Sequence, residues 1–262
     1  MAVTGVSCKS LYYCACVTCV SETKMRRFWH ALVFCALAAS VLLVTGRADV
    51  LQEDDEVLNV ALGASDALGI GAFPITRGYV YRIKDALEAQ GLDANLLDSG
   101  IPGAQIDLIK QVVNYGVPAI GAIGREIDLV TLWTGVNDII AGADPQEFEE
   151  DLEEILSRLR EETSAFVVMG NVPNLTLLPR FIKDPSENVT IERILAFNDV
   201  IEDVGHNLDV PVIDFFKQIL TDALVSDIDG FHPSNRGHAR IAQQFLQLIL
   251  PEFGFGTVIT AI

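Results

Sequence analysis

Beyond residue 35 the chain has no cysteine. All five (Cys8, Cys14, Cys16, Cys19 and Cys35) fall at the start of its 262 residues. The remainder therefore holds no thiol nucleophile, no disulfide and no thiolate metal site. The four leading cysteines lack a matched second pair or a histidine partner, so they do not read as a zinc site. Positive charge is scarce too: 18 Lys and Arg stand against 36 Asp and Glu, a formal charge of −18. A nucleic-acid partner needs a basic face and is excluded on that ground. The same charge favours solubility and disfavours anionic membrane surfaces. There is no internal repeat and no low-complexity tract. What is present is apolar: half the residues are hydrophobic, enough to bury a sizeable core. The length allows one large domain or two small ones.

The one long uncharged run, 28–46, follows the basic Met25-Arg26-Arg27. Its core, 31–44, is rich in Ala, Leu and Val, and small residues follow at Gly46 and Ala48. That order is a secretory leader cleaved after Ala48, with Met25 as the start of translation. An uncleaved membrane anchor over 28–46 is the alternative, since the run nearly reaches spanning length. Without residues 1–48 the chain carries 13 Lys and Arg against 35 Asp and Glu, or −22 over 214 residues. The expected organisation is an N-terminal extension with leader or anchor (1–48), an acidic lead-in (49–56) and one domain (57–262). The expected location is secreted or periplasmic, with a membrane involved only if the segment stays uncleaved.

Short apolar runs then alternate with helical patterns. Strands are expected at 57–62, 94–97, 127–133, 165–169 and 210–213. Helices are expected at 79–90, 104–115, 145–161, 190–205 and 236–250. Such alternation implies a five-stranded parallel sheet covered on both faces, a three-layer α/β/α sandwich. The acidic clusters at Glu149-Glu150-Asp151 and Glu153-Glu154 lie opposite an apolar stripe of Phe148, Leu152, Ile155 and Leu159, so they read as a solvated face and not as catalytic carboxylates.

In an open parallel sheet, ligands bind beyond the carboxyl ends of the strands. After the first strand comes Gly63-Ala64-Ser65-Asp66-Ala67-Leu68-Gly69. After the second comes Ser99-Gly100-Ile101-Pro102-Gly103, and after the third Thr134-Gly135-Val136-Asn137-Asp138. Before the last helix stands Asp229-Gly230-Phe231-His232-Pro233. These segments supply a hydroxyl, a backbone donor freed by glycine, a side-chain amide and a carboxylate–imidazole pair. Those are the parts of serine acyl transfer. The order is wrong for an α/β-hydrolase, whose Gly-x-Ser-x-Gly elbow follows several strands; here Ser65 follows the first, and Ala67 stands where the second glycine would be.

On these four blocks, which span nearly the whole domain, the chain resembles the GDSL/SGNH hydrolases. The resemblance implies a flavodoxin-like fold, Ser65 as nucleophile, and His232 as general base oriented by Asp229. It implies an oxyanion hole built from the Ser65 and Gly103 N–H groups and the Asn137 side chain. In one respect the chain departs from the family: the Asp that usually precedes the serine is replaced by Ala64, and Asp66 follows instead. No cofactor or metal is expected; Asp227 and Asp229 lack the further oxygen ligands of a calcium loop. His206 and His238, set in helical patterns, are expected to face solvent or to cap.

The activity implied is that of an exported esterase or lipase-type acylhydrolase, acting on a small-molecule, lipid or acetylated-glycan ester. An acyltransferase to a sugar hydroxyl would use the same machinery. A catalytically silent glycan-binding module is the reading from another class, and it has no use for Ser65, Asn137, Asp229 and His232 together.

Overall fold

The computed structural model describes residues 56–218 and 222–256. The N-terminal extension, the 28–46 run, the cleavage position and the lead-in up to residue 55 lie outside the described residues. Among the described residues five strands form, each close to its expected place: β1 (Glu56–Gly63), β2 (Asp93–Gly100), β3 (Leu129–Trp133), β4 (Phe166–Gly170) and β5 (Val212–Ile213). All pair in parallel in the order β2-β1-β3-β4-β5, the flavodoxin-like arrangement. Among the described residues seven α-helices accompany the sheet: α1 (Tyr79–Ala89), α2 (Ile106–Ala122), α3 (Val136–Ala141), α4 (Pro145–Glu162), α5 (Pro179–Lys183), α6 (Ile191–Asn207) and α7 (Asn235–Glu252).

The central strands are buried on both faces, as a covered parallel sheet requires. β3 has no exposed residue, and β1 exposes only Glu56. Two apolar layers result. One packs Leu62, Val130, Ile109, Phe148 and Phe197 between the sheet and α2, α4 and α6. The other packs Ala61, Leu129, Tyr79, Ile83 and Phe245 between the sheet and α1 and α7. On α4, Phe148, Leu152, Ile155 and Leu159 are buried; of the acidic residues Glu150 and Glu153 face water, while Asp151 and Glu154 reach across to Lys110 of α2.

Helix ends follow local chemistry. Asp144 accepts from the Gln146 N–H at the start of α4, with Pro145 in the first turn. Thr190 and Ser234 play the same part for α6 and α7. The expected helix at 104–115 extends to Ala122, through Pro118. Its apolar spacing persists at Val117 and Ile120, both buried, and that packing outweighs the hydrogen bond the proline removes.

The strands end in one row. Gly63 lies opposite both Gly100 and Trp133, Trp133 opposite Gly170, and Gly170 opposite Ile213. Loops leaving this row at β1 and β3 diverge to opposite sides, which opens the crevice in which the four sequence blocks meet.

Candidate active site

Ser65 stands two residues past the end of β1, in a turn closed by Ile70 N–H donating to the Ser65 carbonyl at 2.9 Å. Its side chain is buried except toward the crevice. His232 reaches it from the loop before α7, with Nε2 2.9 Å from Ser65 Oγ. The other ring nitrogen, Nδ1, lies 2.6 Å from Asp229 Oδ2. With the ring proton on Nδ1, donated to Asp229, Nε2 is an acceptor for the serine hydroxyl.

The carboxylate is itself held in place. Asp229 Oδ1 accepts from the Phe231 N–H at 2.9 Å and the His232 N–H at 3.1 Å. One oxygen thus folds the Asp229–His232 turn and the other meets the ring. Burial alone would raise the Asp229 pKa, but the bonds from the His232 ring and the two N–H groups outweigh it and hold the group below its ordinary value. The loop's base is pinned by the Val225–Pro233 bridge and by Ser226 N–H donating to the His232 carbonyl at 2.8 Å. Asp227, by contrast, points into solvent and has no part in this network.

Gly103 lies three residues past β2 and adopts φ +79°, a left-handed conformation open to glycine at little cost. Among the described residues, neither its N–H nor that of Ser65 has a hydrogen-bond acceptor. Asn137, on the first turn of α3, donates one amide hydrogen to the Ala104 carbonyl at 2.9 Å. Its neighbour Asp138 is buried and accepts from the Ile106 N–H at 2.9 Å. Two consecutive residues after β3 therefore fix the loop that carries Gly103. Desolvation pushes the Asp138 carboxyl up to about 6, against the pull of the Ile106 N–H.

His238 is a correction to the sequence reading. It is fully buried and does not face solvent, and the helix it caps is α1 and not its own. Its Nδ1 accepts from the Tyr79 N–H at 3.2 Å and its Nε2 donates to the Ile70 carbonyl at 3.0 Å. It ties the turn that holds Ser65 to the start of α1. Desolvation holds its pKa down to about 4, so the ring stays neutral. The sequence carried the signal: Gly237, His238, Ile241, Ala242 and Phe245 share the buried stripe of α7. His206 is exposed.

The Ser65 turn is also packed directly on the histidine. At Gly71 (φ +94°) a Cβ would sit 2.2 Å from the Pro233 carbonyl and 2.9 Å from the His232 Cβ, so only glycine allows the approach. Asp66, which follows the serine, lines an apolar pocket with Trp133, Val136, Leu178, Phe215 and Phe231. Desolvation raises its carboxyl to about 6; nearby His232 opposes that rise and Asp229 adds to it. Among the described residues, no cluster of three or more His, Cys, Asp or Glu is placed to hold a metal ion.

The model of the GDSL-like lipase/acylhydrolase family matches residues 59–240. The chain belongs to this family. Solved structures of GDSL-type enzymes share its fold. A lipase/acylhydrolase from Enterococcus faecalis superposes with a TM-score of 0.61 at 21% identity, over 78% of this chain and 100% of that one. The psychrotrophic esterase EstA from Pseudoalteromonas sp. gives 0.60 at 14% identity, over 75% and 98%. The acetyl xylan esterase AlAXEase gives 0.57 at 19%, over 74% and 100%. No curated protein sequence matches the chain. At such identities the likeness is one of fold, and the Ala64-Ser65-Asp66 order remains this chain's own variant of the GDSL block.

Proposed function

We propose that the protein is an exported serine esterase of the acylhydrolase type, cleaving carboxylic esters through Ser65, His232 and Asp229. One observation carries the reading: the unbroken chain of contacts from Ser65 Oγ to His232 Nε2, and from His232 Nδ1 to Asp229. Ser65 Oγ attacks the ester carbonyl as its proton passes to Nε2. The imidazolium so formed is stabilised by the ionised Asp229 and returns the proton to the leaving alcohol. Water then attacks the acyl-enzyme with His232 again as base, releasing the acid and restoring the serine.

Both tetrahedral intermediates carry a negative oxygen. The free N–H groups of Ser65 and Gly103 and the second amide hydrogen of Asn137 are the donors for it. None of these steps draws on a metal or a cofactor. The acyl group is assigned to the mostly apolar pocket that Asp66, the residue after Ser65, helps to line, where Trp133, Leu178, Phe215 and Phe231 would cover it. This favours esters with an apolar acyl chain over highly polar ones. Export rests on the leader-like 25–48 segment.

A p-nitrophenyl ester series from acetate to palmitate, run beside acetylated xylan and a lysophospholipid, tests the proposal. Hydrolysis of at least one ester, absent in Ser65→Ala, is expected. No turnover of any of them by the folded protein would overturn it.

A further inference from the structure

The most exposed of the large apolar side chains cluster, while the less exposed Tyr115, Ile123 and Leu195 lie elsewhere. The four most exposed are Ile228 (94%), Phe73 (84%), Ile182 (65%) and Leu177 (53%). They lie on three segments that interlock around His232. Phe73 is fastened to the start of α7, its N–H and carbonyl both bound by the Asn235 side chain at 2.9 and 3.0 Å. The segment with Leu177 and Ile182 is tied to the catalytic loop by Arg180 N–H donating to the Gly230 carbonyl at 3.0 Å. Ile228 stands on that loop, one residue before Asp229, and shares an open depression with Phe73.

The charges follow the same geography. Of the 13 cationic side chains among the described residues, six pair with carboxylates. Arg82 and Arg193 are bound by backbone carbonyls. The remaining five have no carboxylate partner among the described residues. They are Arg77, Arg180, Lys183, Arg236 and Arg240, and each lies on one of these same segments or on the first turns of α7. Asp184, Asp227 and Asp229 share this rim, so five cations stand against three carboxylates there, a small positive excess on an otherwise strongly acidic body.

We infer that this pole docks on a phospholipid surface, presenting the Ser65 crevice to lipid esters held there. Exposed apolar side chains set among exposed cations that no carboxylate among the described residues holds match the boundary between acyl chains and phosphate headgroups. The acidic remainder of the surface is repelled by headgroup phosphates and turns away, which orients the crevice toward the lipid. The surface expected is a zwitterionic one, because it offers phosphates without a net negative charge. The inference rests on the proposed function only in naming lipid esters as what is presented.

Brominated phosphatidylcholine vesicles test it on the full-length chain in a Ser65→Ala background, so that docking is read without turnover. Ile228→Trp and Phe73→Trp report from the rim. Ile123→Trp, past the end of α2 at the opposite pole, is the control, and the signal of the native tryptophans is subtracted. Strong quenching at positions 228 and 73 with little at 123 is expected, even if residues 28–46 also tether the chain. Equal quenching at all three, or none at 228 and 73, would overturn the inference, as would self-association through the rim without quenching. As a second measure, the Phe73→Ser/Ile228→Ser variant should lose about tenfold or more in hydrolysis of vesicle-borne ester while soluble p-nitrophenyl acetate turnover is unchanged. Failure of the esterase reading would appear separately, as loss of soluble-ester turnover in the wild type.

Discussion

The Asn137 side chain and the Ala104 carbonyl are joined by a hydrogen bond of 2.9 Å, so the loop after β3 sets the position of the loop after β2. One amide hydrogen of Asn137 is spent on this tie, and the proposed mechanism gives the other to substrate. In that mechanism, both oxyanion donors outside the Ser65 turn thus depend on one residue. Asp138 secures the same loop from the next position through the Ile106 N–H.

Asn137→Ala should therefore lower kcat by about 10²–10³ with little change in KM, because the donor matters once negative charge has developed. Steady-state kinetics on a soluble ester checks this. A change in KM alone would make Asn137 a residue that positions the ground-state substrate.

Gly103 separates backbone strain from crowding. Nothing lies within 4 Å of where its Cβ would be, so Gly103→Ala meets no steric obstacle and must only hold φ near +79°. The expected cost is about 1–2 kcal/mol in stability, with a fall in kcat as the N–H turns away. Gly103→Asn should be milder on both counts, because asparagine tolerates the left-handed region. Thermal denaturation together with kcat measurements distinguishes the two variants.

Asp229→Asn should lower kcat by about 10²–10⁴, since the ring loses the partner that fixes its tautomer and stabilises its charge. Asp227→Asn should stay within about a few-fold of wild type, as its side chain is exposed and outside the network. The reverse order would reassign the orienting carboxylate.

His238 should leave a mark on stability against pH. Its pKa falls from the ordinary 6.5 to about 4 on burial, so the unfolded chain takes up the proton first. The stabilisation that comes with a neutral ring is fully present above pH 6.5 and is lost as pH falls toward 4, by about 3 kcal/mol in all. Asp66 and Asp138, both raised to about 6, act in the opposite sense over the same range. Their contribution cancels when His238→Asn is compared with wild type. The variant should be less stable at neutral pH, and the gap should narrow on acidification; denaturant titrations at several pH values read it directly. A gap independent of pH would mean that the buried ring does not titrate as described.

The parallel sheet was legible because its strands are short apolar runs separated by amphipathic helices, and that period survives in any sequence that buries both faces. The short elements were not. α3 has six residues between two left-handed glycines, Gly135 and Gly142, and α5 has five, too few for a helical period to register. The site blocks were legible as residue types in order beyond successive strands. The contacts among them were not, because they join residues far apart in sequence: Asn137 to Ala104, Ile70 to His238, Arg180 to Gly230. Asp66 stood out as a departure from the family block, but its raised pKa comes from surroundings that only the fold assembles. The burial of His238 was missed although its helical stripe was visible, because a polar residue on a buried face requires partners, and those partners, Tyr79 and Ile70, lie on other elements.

The central claim is that Ser65 is a nucleophile activated by His232, and an active-site-directed fluorophosphonate tests it most directly. Peptide mapping of the labelled wild-type protein should place a single adduct on Ser65. Labelling should be lost in Ser65→Ala and should slow sharply in His232→Ala, with both variants still folded by circular dichroism. An adduct on another residue, or labelling and ester turnover that persist in folded Ser65→Ala, would contradict the account.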